Sequence, residues 1–199
     1  MKKLSTAAWL LMVSLFICAG ASGQGIPAGF DVFAEAGPSC LSGPVHSGAS
    51  GEVKCNGGRF FAGARVRLTR HDAVEASYSY SPDVFNEAYP LTYTNRRIHS
   101  HAFNYVRYFS ANRYLQPFAT VGIGWMTFSD FHGAVEKVAD SPFAWNFGGG
   151  IDVIPFRYFA VRLEMRDYRT TIPIYHTSGL ENWVPSVGIV FRWNRNPKL

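Results

Sequence analysis

Two histidines spaced two apart, His99 and His101 in the stretch IHSHAFNY, are the residues best suited to chemistry. On an extended chain, positions i and i+2 project to one face, so the two imidazoles could share a transition metal or a proton. Ser100 lies between them and faces the other way, which removes it as a nucleophile for either ring. The pair is therefore expected to be a polar strand end near a membrane surface, with no catalytic residue, metal or cofactor assigned. His46, His71, His132 and His176 fall in separate connecting segments and share no geometry. A second pattern, FAVRLEMRDYR from Phe159 to Arg169, sets Arg162, Glu164 and Arg166 against Val161, Leu163 and Met165. In a strand this puts three charges on one face and three apolar side chains on the other.

The chain that must position these residues has 199 residues, 47% hydrophobic and 17% charged, which suits one ordered domain. Its first residues, MKKLSTAAWLLMVSLFICAGASG, combine two lysines, an apolar run and small residues, the layout of a secretory signal peptide. The expected division is a signal peptide over 1–23 and one domain over 24–199. Loss of Lys2 and Lys3 with the leader takes the formal charge from +5 to +3, too small an excess to argue for nucleic acid. Cys40 and Cys55 remain, and in an oxidising compartment they are expected to form a disulfide.

Period-two alternation recurs in eight segments. They run over Phe30–Gly37, Gly58–Thr69, Ala73–Tyr80, Ile98–Phe109, Leu115–Phe128, Phe143–Ile154, Phe159–Arg169 and Trp183–Trp193, and the first and third look shortest. Their connections alternate strictly in length. Long loops (Pro38–Gly57, Ser81–Arg97, Ser129–Pro142, Thr170–Asn182) are separated by the short turns Thr69–Asp72, Ser110–Tyr114 and Pro155–Tyr158. An even number of antiparallel strands with all long loops at one end is the layout of an all-β, eight-stranded, up-and-down transmembrane barrel, with long extracellular loops and short periplasmic turns.

One face of each segment is apolar and the other collects charge and glycine. Aromatic residues on the apolar faces, among them Tyr80, Tyr108, Trp125, Trp145, Phe191 and Trp193, lie near strand ends, where membrane barrels place interfacial girdles. The apolar faces are therefore expected to meet lipid and the charges to fill a lumen too narrow for an open channel. The expected interior network comprises Arg65, Arg67, Arg107, Asp152, Arg162, Glu164, Arg166 and Arg192, together with Arg59, Asp31, Glu35 and Glu75. An ion path along these charges is the alternative reading.

The stretches LQPFATVGIGW, FAWNFGGGIDVIPFRYFAVRLEMRDYR and PSVGIVFRW give the chain a resemblance to the small outer-membrane barrels of the OmpA/OmpX type, the outer membrane protein beta-barrel domain class. In the last stretch, Gly188, Phe191 and Trp193 resemble the barrel-assembly signal of these proteins, displaced from the chain end by NRNPKL. The resemblance implies a bacterial outer-membrane location, with membrane lipid and the barrel-assembly machinery as partners. It also implies a non-enzymatic structural role in the envelope, with the loops offering a surface for an extracellular ligand. The alternatives are a lipid-modifying enzyme of the lipid A deacylase kind, a small pore or an adhesin. The deacylases place a serine two residues after the histidine on one outer face, and here Ser100 misses that position by one.

Overall fold

The computed structural model describes residues 29–42, 54–85, 95–110, 114–132, 135–138, 143–170 and 181–193. The expected signal peptide lies outside these residues, as do large parts of the expected long loops. Every described element is a strand: β1 (Gly29–Ser42), β2 (Lys54–Arg67), β3 (Asp72–Phe85), β4 (Asn95–Tyr108), β5 (Leu115–His132), β6 (Val135–Val138), β7 (Phe143–Phe156), β8 (Phe159–Thr170) and β9 (Glu181–Trp193). Eight of them form the wall. Each pairs antiparallel with its neighbours in the order β4, β3, β2, β1, β9, β8, β7, β5, and the pairing of β4 with β5 closes the ring. Closure gives every wall strand a partner on both sides, as hydrocarbon requires of backbone polar groups.

Two features differ from the sequence expectation. The segments expected to be short, β1 and β3, each run to 14 residues. Each expected segment stops short of a proline, Pro38 or Pro82, a residue that cannot donate to a ladder. In the fold the ladder steps past it through register shifts, between Pro38 and Cys40 in β1 and between Ser81 and Val84, which flank Pro82, in β3. A third shift sits at Pro155 in β7. The second difference is β6, in a segment expected to be loop. Its four residues pair with the loop-side end of β5, from Ser129 opposite Val138 to His132 opposite Val135.

Cys40 and Cys55 are register partners and are joined by a disulfide at the loop-side end of the β1–β2 hairpin. Between that pair and Pro38–Gly58, β2 carries one more residue than β1. The excess is taken up at Gly57, whose φ of 100° is open to glycine and strained for other residues.

The strand FAVRLEMRDYR turns its apolar face outward and its charged face inward: Leu163 is 50% exposed and Glu164 5%. The same parity holds round the ring. Val121, Ile123, Val187 and Ile189 face out, whereas Arg59, Arg65 and Arg162 are fully buried. The interior is not purely polar, however. Apolar clusters occupy both ends of the lumen, with Phe61, Ile98, Met126 and Tyr168 toward the loops, and Phe33, Val106, Phe118 and Ile154 toward the turns.

Candidate functional site

Eleven of the twelve residues expected in the interior network face the lumen. In its middle, Arg162 on β8 grips Asp152 on β7 with two bonds, Nε to Oδ1 at 2.7 Å and Nη2 to Oδ2 at 3.0 Å. The same guanidinium reaches Glu35 on β1 at 3.4 Å and Glu75 on β3 at 3.8 Å. Arg65 donates to Glu75. Arg166 donates to Glu164 on its own strand at 2.7 Å, and its Nη2 to Glu75 at 3.0 Å. In the ring β3 and β8 stand opposite each other, so that last bond crosses the lumen. Asn104 adds a bond to Glu75 at 2.9 Å, and Ser186 one to Glu35 at 2.7 Å.

Toward the turns, Arg67 donates to Asp31 at 2.9 Å, and Arg67 and Arg192 both donate to Gln116, at 3.3 and 3.2 Å. Tyr108 is the junction of the two layers: its hydroxyl accepts from Arg65 and Arg67 and donates to Asp152. Toward the loops, Arg59 donates to Ser79 at 2.9 Å and Ser100 at 2.6 Å, and its guanidinium lies over the Tyr168 ring, 4.3 Å from the centroid. Shared carboxylates of this kind satisfy buried guanidinium donors, but the net stability of such a network is small, because desolvation offsets most of the attraction.

Close packing against the network depends on glycine at two positions. A Cβ at Gly122 would collide with the Asn104 side chain, and one at Gly188 with Glu35 Cγ and the Ala34 carbonyl. Gly188 thus belongs to the lumen, while Phe191 and Trp193 face out, with Phe191 edge-on to Phe159 at 5.3 Å between ring centroids.

Arg107 is a correction. It shares the outward face of β4 with Phe103 and Tyr105, its side chain is half exposed, and it pairs with Asp72 at 2.5 Å on the outer rim near the turns. Tyr105 also donates to Asp72, and Thr69 does so at 2.7 Å. Tyr108, expected in the outer girdle, is the second correction, because it points inward with 1% exposure. The sequence reading also missed Asp167, which shares parity with Leu163 and Met165 yet is fully buried. Arg169 caps it at 2.8 Å and lies over Trp145 and Phe147, each 5.4 Å from the guanidinium carbon. An Asp and an Arg two apart, beside apolar positions, was the available signal.

His99 and His101 face outward at the loop-side girdle. Tyr78 Oη lies 2.7 Å from His99 Nδ1, and the His101 ring stacks on Trp125 at 5.4 Å. Ser100 points into the lumen and receives a bond from Arg59, so the barrel wall separates it from both imidazoles.

A model of the family described as "Outer membrane protein beta-barrel domain" matches residues 9–192. No curated protein matches the chain significantly. Among solved structures, Neisserial surface protein A is similar over 81% of this chain and 96% of its own, at 13% identity and a TM-score of 0.66. Ail, the attachment invasion locus protein of Yersinia pestis, is similar over 84% of this chain and 100% of its own, at 12% identity and a TM-score of 0.56. The N-terminal β-barrel domain of Pseudomonas aeruginosa OprF covers 82% of this chain and 97% of its own, at 12% identity and 0.56. At such identities the likeness is one of fold.

Proposed function

The chain belongs to the outer membrane protein beta-barrel domain family, and from that premise we propose that it is a closed, non-enzymatic structural barrel of the bacterial envelope whose loops are its binding surface. One observation carries the closed reading: the bond from Arg166 to Glu75 spans the lumen between opposite strands, within a network packed among apolar side chains toward both ends. Eight strands leave an interior that side chains can fill. The purified barrel in planar bilayers should give no stepwise conductance; discrete steps from the unaltered protein would end this reading.

The position of Ser100 speaks against a lipid-modifying enzyme, since neither His99 nor His101 shares its face. On our reading His99→Ala and His101→Ala leave lipid composition unchanged in reconstituted vesicles. A loop-mediated role is favoured by the fold shared with Ail, an attachment protein also solved with the heparin analogue sucrose octasulfate. Binding to cell surfaces that disappears on deletion of residues 86–94 would support this, and binding that survives loss of every long loop would refute it. Membrane lipid and the barrel-assembly machinery complete the partners we propose, the latter through Gly188, Phe191 and Trp193.

A further inference from the structure

Arg107 and Asp72 form an ion pair on the outer rim of the barrel, on the turn side. Three arginines stand there among the described residues: Arg70 exposed in the β2–β3 turn, Arg107 on β4, and Arg157 exposed in the β7–β8 turn. Asp72 is the one acid among the described residues of this rim, and its carboxylate is already engaged by Arg107, Tyr105 and Thr69. Arg70 and Arg157 are left as the cations of the rim.

The two arginine turns are placed on opposite sides of the ring, because four strand positions of the eight separate the β2–β3 hairpin from the β7–β8 hairpin. A soluble partner would have to straddle the whole barrel end to reach both. A lipid leaflet surrounds the barrel and meets both at once. The side chains next to the cations fit that environment: Leu68, Phe109, Phe156, Tyr158 and Trp193 are exposed, and Arg157 lies over the Tyr158 ring, 5.3 Å from its centroid. Aromatic rings settle at headgroup depth, and an arginine stem lies along apolar surface while its guanidinium turns to the phosphates. The planar fork binds phosphate oxygens in pairs.

We infer that the turn-side rim is a binding collar for the phosphates of anionic phospholipids in the periplasmic leaflet, with Arg70 and Arg157 as the selective cations. The inference rests on the membrane orientation of the family. Zwitterionic lipids offer the same phosphate, but their own ammonium competes for it, so the collar should discriminate by headgroup charge.

The test uses the full barrel in phosphatidylcholine vesicles with a trace of spin-labelled phosphatidylglycerol or spin-labelled phosphatidylcholine. The motionally restricted fraction of each probe is read by electron spin resonance. The expected result is an association ratio of about threefold in favour of phosphatidylglycerol, the order of effect for one or two cations at a charged surface. The ratio should fall toward one in R70Q/R157Q and return in R70K/R157K, with heat-modifiable gel mobility showing that all three barrels are folded. A ratio of one in the unaltered protein would overturn the collar and leave these cations to a soluble acidic partner. An undiminished ratio in R70Q/R157Q would overturn the assignment of the two arginines.

Discussion

Arg162 and Arg107 stand on opposite sides of one wall, and that difference sets what each costs to remove. Arg162 is fully buried and serves Asp152, Glu35 and Glu75, so Arg162→Met strands carboxylates where no water can reach them. A loss of about 3–5 kcal/mol is expected in urea titrations of the barrel folded in lipid vesicles, with part of it recovered in the double variant Arg162→Met, Asp152→Asn. Arg107 is half exposed, and Arg107→Gln should cost about 0–1 kcal/mol in the same titration. Equal losses would show that the interior does not depend on its ion pairs. The two positions also mark where the sequence was legible. Arg162 alternates with apolar neighbours on both sides, so its face was readable. Arg107 shares parity with Phe103 and Tyr105, the outward set, and its charge suggested an interior that its position denies. Near a strand end the outward face meets the interface, where a cation is stable.

Among the elements, alternation identified the eight wall strands and their faces, because a one-residue slip would turn every side chain over. It could not supply what depends on long-range register. The short turns fix each hairpin, whereas β1 meets β9 only on closure, and the contacts Asp31 opposite Arg192 and Glu35 opposite Gly188 follow from that meeting. Strands β1, β3 and β7 run beyond the expected ends near Pro38, Pro82 and Pro155, since a bulge carries the ladder past each proline. Two predictions belong to this scale. Gly188→Leu should slow assembly into lipid and lower stability by at least about 1–3 kcal/mol, because the added side chain must displace Glu35 and the β1 backbone. Refolding rates read from heat-modifiable mobility would check it, and a barrel that assembles at the unaltered rate would refute it. The Cys40–Cys55 bond closes a loop of separation 15, for which chain entropy gives about 3 kcal/mol. Cys40→Ser with Cys55→Ser should therefore lower the urea midpoint, and hydrogen exchange should rise first at the loop-side ends of β1 and β2.

At the scale of the molecule, the lumen is filled in layers, and the layers are of different kinds. The middle is held by charge: Arg166 ties β8 to Glu75 on β3, and Arg162 ties β8 to β7 and β1. The loop-side end is held by packing, where Phe61 and Tyr168 stack at 6.4 Å and Ile98, Met126 and Val184 fill in around them. An ion entering from the loops meets this packed layer, with Arg59 held over the Tyr168 ring, before it reaches the mid-lumen carboxylates, and dehydration there is the larger barrier. The charge-balanced variant Glu75→Ala, Arg166→Ala should therefore remain silent in planar bilayers although its cross-lumen bond is gone. Adding Phe61→Ala and Tyr168→Ala to that variant removes the packed layer as well, and discrete steps should appear. Conductance from the first variant alone would place the seal in the ion pairs and reverse this ordering. Silence from the combined variant in a folded barrel would leave the seal to the turn-side layer of Phe33, Phe118 and Ile154, which does not depend on either tie.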